Sequence, residues 1–342
     1  MLKKFFTVCI GISSFLLVNA QQDSTKKSIT TIIGSVDAYY RYNFENPPGK
    51  TNNLTAFTNS KNSFELGMAS IRLDHSYKRV SATVDLGFGK RAQEFSYNDV
   101  GTTLSAVKQA YIGFAVSDKV KISMGKWATH VGYELMDAYA NRNYSMGYAF
   151  SYGPFFHTGI KADISLGGKT SLMVGVADPT DYVSAPNDIR VAIAQISTAS
   201  KNDKIKAYLN FQGASGLSQF DLVLTALLNE QFNVVYNGTI LSSTIGTDKS
   251  SWNSNVLYLN YDPVKSFGLT LRGEYFSDRK LTPVTGTGNI FAATLSGNLR
   301  IDNLTIIPEL RLDNANTAIF TKSDGGAIKN TSTFLLAAVY KF

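Results

Sequence analysis

Residues 334–342 read FLLAAVYKF, and their strict alternation is the pattern that decides the fold class. In an extended strand alternate side chains share one face, and here that face holds Phe334, Leu336, Ala338, Tyr340 and Phe342. The last residues of a soluble domain are usually polar and frayed, whereas this face is apolar to its final aromatic residue. The stretch therefore predicts a β-strand whose outer face needs an apolar partner.

The N-terminal sequence predicts export from the cytoplasm. Two lysines precede an apolar stretch from Phe5 to Val18, and a small-residue cleavage site follows. This apolar stretch is shorter than the roughly 20 residues that a membrane-spanning helix needs. We therefore expect a cleaved signal peptide at 1–20, a short periplasmic segment at 21–29 and a single β-domain at 30–342.

Composition excludes several function classes. The one cysteine, Cys9, lies in the expected signal peptide, so the mature chain would hold no disulfide, cysteine–zinc site or cysteine nucleophile. The formal net charge of +7 is spread along the chain without a basic cluster, which argues against nucleic acid as a partner. No residue pattern calls for a cofactor or a metal ion.

Segments with a period of two recur throughout the chain, and most have the length of about ten residues that a tilted membrane strand requires. Sixteen such segments are expected, at 30–44, 64–77, 80–91, 105–117, 120–134, 156–166, 170–178, 190–199, 204–214, 220–228, 232–243, 254–262, 267–277, 290–301, 304–313 and 333–342. The links between them alternate between short turns and longer polar loops, with 215–219 as a short exception among the loops. This parity predicts an up-and-down antiparallel sheet with its long loops at one end.

The two faces of these segments distinguish a membrane barrel from a soluble one. In the third segment Ala82, Val84, Leu86 and Phe88 alternate with Thr83, Asp85, Gly87 and Gly89. A barrel of sixteen strands is too wide for apolar side chains to fill, so the polar face should line the lumen and the apolar face should contact lipid. We therefore expect an all-β transmembrane barrel in a bacterial outer membrane, with short periplasmic turns and long extracellular loops.

The closing strand acquires two expected roles in such a barrel. Phe334 and Leu336 should face lipid, and Tyr340 and Phe342 should lie in the aromatic girdle at the periplasmic interface. A terminal aromatic strand also resembles the signal that the barrel-assembly machinery of the outer membrane recognises.

Short motifs in the first half of the chain resemble the OmpL-like β-barrel porins (beta-barrel porin-2 type) of Gram-negative outer membranes. The motifs are Phe64-Glu65-Leu66, 85–89 (DLGFG), 108–111 (KQAY), Gly125-Lys126, Thr129-His130, 132–134 (GYE), Asn143-Tyr144-Ser145, Gly153-Pro154-Phe155 and His157-Thr158-Gly159. The likeness covers about 30–180 closely, and the second half mainly in strand rhythm. It implies a porin fold and a presumed pore function, and it implies no particular solute.

The densest group of polar and aromatic residues lies at 125–162. We expect Lys126, His130 and Glu134 to share one face of the fifth strand, and His157, Lys161 and Asp163 to share a face of the sixth. The loop between them, 135–155, is expected to fold into the lumen as a constriction, with Arg142 and Asn143 as its polar tip and Tyr139, Tyr144, Tyr148 and Tyr152 packing it on the wall; a surface loop that caps the rim is the alternative. The pore-lining or constriction residues so predicted are Lys126, His130, Glu134, Arg142, Asn143, Tyr144, His157 and Lys161.

We expect passive diffusion of small hydrophilic solutes or ions through the lumen. The luminal charges have a slight basic excess, which supports at most a weak preference for anions. A plugged structural or adhesive barrel is one alternative. A lipid-active barrel enzyme using Ser145 with His130, Glu134 or His157 is another, although no G-x-S-x-G or H-E-x-x-H motif supports catalysis. Lipid and small solutes are the expected partners, and a homo-oligomer stays open.

Overall fold

The computed structural model describes residues 28–49, 51–282 and 287–342, and the expected signal peptide lies outside them. Sixteen antiparallel strands form one closed barrel in which each strand pairs with its neighbours in the chain. The predicted fold and strand number are confirmed. The first eight strands of the barrel are β1 Ile29–Asn43, β2 Ser63–Tyr77, β3 Val80–Phe88, β4 Val107–Ser117, β5 Val120–Ala128, β6 Phe156–Gly167, β7 Thr170–Ala177 and β8 Val191–Ala199.

The second half of the barrel has the longer strands. They are β9 Ile205–Ala214, β10 Leu217–Leu227, β11 Phe232–Ile245, β12 Asp248–Val264, β13 Phe267–Arg279, β14 Thr287–Ile301, β15 Leu304–Ala315 and β18 Asn330–Lys341. A small external hairpin, β16 Phe320–Thr321 with β17 Ala327–Ile328, lies outside the barrel sheet. Among the described residues there are two short helices, α1 Lys90–Phe95 and α2 Tyr148–Ser151, and three 3₁₀ turns at Tyr97–Asp99, Thr103–Ala106 and Ala138–Ala140.

Several predicted boundaries are wrong, and the strand register explains why. The fifth strand ends at Ala128, so His130 and Glu134 lie in the following loop. The link expected at 244–253 is a tight hairpin, because β11 and β12 stay paired up to Ile245 and Asp248. The turn expected at 262–264 comes later, since β12 continues to Val264 through an irregular register.

The closure of the barrel joins β1 to β18 in an antiparallel register from Ser35–Lys341 to Asn43–Thr333. Gly34 and Phe342 extend this seam through two backbone hydrogen bonds of 2.9 Å. The Phe342 ring lies over Gly34, where an added Cβ would approach a ring carbon to 2.2 Å. A side chain at position 34 would therefore displace the terminal ring from this place.

The outward face of the barrel carries the apolar belt. On β18, Leu336, Tyr340 and Phe342 are exposed and Phe334 is partly exposed, all on the outward face. The alternate residues Leu335, Ala337 and Val339 are buried on the luminal face. This strand is therefore apolar on both faces, and its luminal face packs on an internal loop that contains Ala138, Tyr139 and Tyr144.

No helix in the described part of the chain is long and apolar enough to cross a bilayer.

Candidate functional site

The lumen is occupied by the connection between β5 and β6, residues 129–155, which we call loop 3. Its two ends meet where the Thr129 N–H donates to the Phe155 carbonyl at 2.9 Å. Between these ends the chain crosses the barrel, and many of its side chains are buried. The loop folds into the lumen as expected, but it begins at residue 129, six residues before the predicted start at 135.

The first arm of loop 3 follows the wall formed by β9, β10 and β11. His130 Nε2 donates to the carbonyl of Phe211 at 3.0 Å. The backbone N–H of Gly132 donates to Asp221 at 3.0 Å, and that of Tyr133 donates to Asn237 at 3.1 Å. Loop backbone that has left the sheet thus finds hydrogen-bond partners in polar side chains of the wall.

Glu134 then reaches the wall opposite β5. It forms a buried ion pair with Arg272 of β13, whose side chain is 1% exposed. Arg272 also donates to the Ser145 carbonyl at 2.7 Å and to Thr294 Oγ1 at 3.1 Å. Since β5 and β13 are half-way round the ring from each other, this pair ties loop 3 across the full width of the lumen.

The tip of loop 3 points toward the short-turn end of the barrel. Arg142 donates to both carboxylate oxygens of Asp262, at 2.8 and 3.0 Å, and to Thr270 Oγ1 at 2.6 Å. Arg300 shares the same carboxylate at 2.8 Å. The side chains of Arg142 and Asp262 are 24% and 31% exposed, so water reaches this anchor and weakens it relative to the buried pair.

Asn143 and Tyr144 fasten the tip to three further strands. Asn143 Nδ2 donates to Ser296 at 2.6 Å, and the Tyr144 N–H donates to Glu309 at 2.8 Å. The Tyr144 hydroxyl donates to Asp37 of β1. This bond lies directly over Gly67, where a Cβ would come within 1.9 Å of the Asp37 carboxylate.

The return arm of loop 3 contains α2 and is held by acidic side chains. The backbone N–H groups of Tyr148 and Ala149 each donate to Glu274 at 2.7 Å, which satisfies donors at the start of this short helix. The Tyr148 hydroxyl donates to Asp313 at 2.9 Å. Asp313 is itself paired with Arg311, whose Nη1 donates to the Met146 carbonyl at 2.7 Å.

Arg91 is an anchor of loop 3 that lies outside the predicted set of constriction residues. It lies on α1, is fully buried and donates to the carbonyls of Met136 and Tyr144 at 3.0 and 3.3 Å. Its guanidinium also lies over the rings of Phe57 and Tyr144, at 5.1 and 4.7 Å. Its sequence neighbours, KRAQEF at 90–95, are mixed in polarity and give no signal for this role.

The expected position of Lys126 is wrong. Lys126 pairs with Thr158 across β5 and β6, whereas its neighbour Trp127 pairs with His157 and faces the lumen. Lys126 follows the outward-facing Ile122 and Met124 in the period of two. Its ammonium donates to Ser96 at 3.0 Å and lies 3.7 Å from the centre of the Phe156 ring, under loop 2 (89–106).

The predicted polar cluster is therefore only partly brought together. The rings of His130 and His157 lie 5.1 Å apart next to Trp127, and Lys161 pairs with Asp163 on the same luminal face. Glu134, Arg142, Asn143 and Tyr144 instead contact the opposite wall. The hydrogen-bond partners of Ser145 are Arg272 and Glu309, so the structure does not join it to either histidine.

The described residues contain no cluster of side chains suited to a metal ion. No group of three or more His, Cys, Asp or Glu side chains there could hold an ion.

The middle of the barrel is filled by these contacts. Each barrel strand contributes at least one luminal residue that is buried: Asp37, Met68, Asp85, Lys108, Ser123, His157, Met173, Ile193, Asn210, Asp221, Asn237, Ser254, Arg272, Thr294, Glu309 and Ala337. In a wide water-filled barrel such side chains would be exposed. Loop 3 thus separates an inner vestibule at the short-turn end from a bowl at the long-loop end.

The inner vestibule keeps partly exposed charges. Arg72 and Asp74 pair at 2.7 Å with side chains 28% and 36% exposed. The partly exposed charged residues include seven cations and three acids, namely Arg72, Lys121, Arg142, Lys161, Lys206, Arg300 and Lys341 against Asp74, Asp163 and Asp262. The accessible charge at this end is therefore basic, while the buried charges around loop 3 are mostly paired.

The outer bowl contains a buried acid in loop 4 (178–190). Asp181 accepts hydrogen bonds from the N–H groups of Phe155 and Phe156, at 2.7 and 2.9 Å, and from the Tyr97 hydroxyl at 3.2 Å. These donors favour the carboxylate, but burial outweighs them and raises the pKa of Asp181 to about 7. This carboxyl therefore joins loops 2, 3 and 4 and titrates near neutral pH.

A family model described as "Putative beta-barrel porin-2, OmpL-like" matches residues 30–342. The chain belongs to this family. Membership accords with the polar luminal wall and the infolded third loop, and it makes the molecule a porin-type barrel of the bacterial outer membrane. No curated protein matches the chain in sequence.

Solved porins share the fold of this OmpL-like chain at low sequence identity. An anion-selective porin from Comamonas acidovorans is 11% identical with a TM-score of 0.59, covering 92% of this chain and 100% of its own. The trimer form of OmpT from Vibrio cholerae is 10% identical with a TM-score of 0.62, covering 93% and 100%. Pseudomonas putida OprB is 9% identical with a TM-score of 0.62, covering 92% and 94%. At these identities the likeness establishes the barrel fold alone.

Proposed function

We propose that this barrel is a passive porin for small hydrophilic solutes and ions, and that loop 3 closes its lumen at rest. The observation that carries the proposal is a polar, charged luminal wall, which Arg142 and Asn143 of loop 3 contact through hydrogen bonds and an ion pair, while other parts of the loop pack in apolar clusters. Polar contacts exchange readily with water, so the part of the loop around Arg142 can leave the wall while the apolar cluster around Met136, Met146 and Phe150 stays packed. Conduction then requires part of loop 3 to move.

The exposed anchor at Arg142 is where this movement is expected to start. Its pair with Asp262 is reached by water, whereas the Glu134–Arg272 pair is buried. An ion pair in contact with water contributes little free energy, about 0–1 kcal/mol, compared with the 3–5 kcal/mol lost when one partner of a buried pair is removed. Loss of the tip anchor would widen the inner end first.

A weak preference for anions follows from the same region. The accessible side chains of the inner vestibule are predominantly cationic, and rings of charge set ion selectivity in pores. Arg142 and Arg300 share one carboxylate, so this cluster carries a net positive charge at the narrow end of the vestibule.

Export and assembly complete the proposal. A cleaved signal peptide at 1–20 would deliver the chain to the periplasm, and the strand 333–342 would be recognised by the assembly machinery. The outward face of the barrel would contact lipid, and other copies of the chain could cover part of it. No catalytic role is proposed, since the Ser145 hydroxyl contacts the Arg272 guanidinium, which cannot accept its proton, and Glu309 accepts only the backbone N–H of Ser145.

A plugged structural barrel is the second candidate, and the ring of buried luminal side chains favours it. In this case loop 3 would stay docked on every side, and the protein would act through its external loops.

Single-channel conductance distinguishes these two functions. The full-length protein, folded in detergent and inserted into a planar bilayer under a salt gradient, would be compared with Arg142→Ala. Lys169→Ala provides a control, because Lys169 lies at a short turn and pairs with the exposed Asp203. We expect openings in the parent, larger or longer openings with weaker anion preference in Arg142→Ala, and no change in the control. Silence from folded parent and variant alike would leave the plugged barrel.

A further inference from the structure

The bowl at the long-loop end is a cavity that the conduction mechanism does not use. It is an open depression with a volume of about 640 Å³, lined by loop 1 (44–62), loop 2, the return arm of loop 3, loop 4 and the outer ends of β9, β10 and β11. Binding sites for small molecules generally have volumes of roughly 300–1,000 Å³. The bowl is therefore large enough for a solute of one or two sugar rings.

Aromatic and aliphatic side chains form one part of the lining. Tyr97 is 50% exposed, and its hydroxyl is fixed by Asp181 at 3.2 Å. Tyr152 is fixed by a bond of 2.8 Å from its hydroxyl to the Leu54 carbonyl, and it packs on Phe276. Both rings are thus held in place before any solute arrives, which lowers the entropy cost of binding.

A network of amides and a carboxylate forms another part of the lining. Asn59 donates twice to Glu94, at 2.9 and 3.0 Å, and accepts a bond from Asn53 at 2.8 Å. Glu94 also accepts the N–H of Phe57 at 2.7 Å. Each carboxylate and amide oxygen has two lone pairs, so this preformed network retains capacity to accept hydrogen bonds from a solute.

The wall below the bowl holds an unused donor. Thr180 donates to Gln212 Oε1 at 3.1 Å, and Gln212 Nε2 donates to Gln219 Oε1 at 2.6 Å. Gln219 Nε2 has no hydrogen-bond partner among the described residues, although the side chain is 1% exposed. This amide lies close to Gly153, which lines the bowl. A buried donor without a partner is costly, and a bound hydroxyl or water could satisfy it.

The charge of the bowl indicates which solutes it accepts. Its described lining contains the acids Glu94 and Asp181 and no lysine or arginine. An anion would meet no cation there, in contrast to the basic inner vestibule. Sugar rings combine apolar C–H faces, which pack on aromatic rings, with a rim of hydroxyls that pair with amides and carboxylates.

We propose that the outer bowl binds a neutral saccharide before it enters the lumen. This inference rests on the proposed porin function for its role in uptake, but the binding site itself requires only the folded barrel. Tyr97 and Tyr152 would pack on the ring faces, and the Asn59–Glu94 network would pair with the hydroxyls.

Equilibrium binding of maltose to the full-length folded protein tests the site. The protein would be kept in a detergent without a sugar headgroup and titrated by calorimetry, with citrate as the anionic probe. We expect saturable binding of maltose and none of citrate. Removing one aromatic contact in Tyr97→Ala should weaken maltose binding by about fivefold, and Asn59→Ala should weaken it similarly. Leu104→Ala is the matched control, since Leu104 is 41% exposed on the same loop and lies outside the bowl.

The heat-dependent gel mobility of each variant would establish that its barrel is folded. Maltose binding that is absent in the folded parent, or equal in parent, Tyr97→Ala and Asn59→Ala, would overturn the inference, as would binding of citrate alone. Channel openings recorded from the same preparations would show separately whether the porin function stands. A parent that conducts ions but binds no maltose would refute only the saccharide site.

Discussion

Replacing Arg272 by methionine is the sharpest test of how loop 3 is held in the lumen. The change keeps much of the side-chain volume but removes the buried partner of Glu134, together with the bonds to the Ser145 carbonyl and to Thr294. The Glu134 carboxylate would then retain the hydrogen bond of 2.7 Å that the Gly147 N–H donates to it. An acidic side chain 6% exposed would be left without a cation.

The magnitude follows from that uncompensated charge. Breaking a buried ion pair by removing one partner typically costs about 3–5 kcal/mol. Because the cost falls on the docked state of loop 3 and is relieved when Glu134 reaches water, the ratio of undocked to docked loop should rise roughly 10²- to 10⁴-fold. Water entering the lumen would bring the effect toward the lower value.

The assay is single-channel recording of Arg272→Met in a planar bilayer. We expect longer openings and a larger mean conductance than in the parent. Arg72→Met is the matched control, because it removes a luminal cation that pairs with Asp74 on its own strand and has no bond to loop 3. If the folded Arg272→Met barrel has the same open probability as the parent and the control, the Glu134–Arg272 pair does not hold the loop.

Three further predictions concern the seam, the outer loops and the position of Lys126. Gly34→Val should lower the temperature at which the barrel loses its folded gel mobility, because the new side chain collides with the Phe342 ring; Gly273→Val, at a strand position with open space, is the control. Burial raises the pKa of Asp181 from 3.8 to about 7, so the folded loops favour its neutral form. Its contribution to the free energy of unfolding of the loop contacts is therefore complete below pH about 4 and is lost as the pH rises through about 7. Proteolysis of loop 4 should therefore accelerate between pH 5 and about 8 in the parent, and this dependence should vanish in Asp181→Asn. Lys126→Met should leave ion selectivity unchanged while Arg300→Met weakens the preference for anions, as reversal potentials would show, and a selectivity shift in Lys126→Met would place that ammonium in the pore.

Much of the fold could be predicted from the sequence, because the side-chain period of a strand is a local property. Ala82, Val84 and Phe88 alternate with Thr83 and Asp85, and this pattern is sufficient to predict the strand and its two faces. The alternating lengths of the connections predict which end of the barrel carries the loops. The ends of the strands were harder to predict. For example, β5 ends at Ala128, although the alternation that placed Lys126, His130 and Glu134 on one face continues to Glu134.

The wall contacts of loop 3 could not be predicted in the same way. Sequence reasoning singled out Glu134, Arg142 and Tyr144, but their partners Arg272, Asp262 and Asp37 lie more than a hundred positions away along the chain. The alternation of side chains along a strand indicates which residues share a face. It does not indicate which residue a loop contacts on the far side of the lumen. Lys126 illustrates the limit, because its burial depends on loop 2 rather than on its own strand.

The sequence by itself thus determined a sixteen-stranded membrane barrel with a polar lumen, since strand alternation and lipid contact act on neighbouring residues. Only the tertiary structure decided that the lumen is filled at its middle and basic at its inner end, and that the described lining of the outer bowl contains no lysine or arginine. The physical reason is that closing a barrel sets side chains from distant strands opposite one another, and loop 3 docks where those side chains supply the partners its buried backbone and charges require.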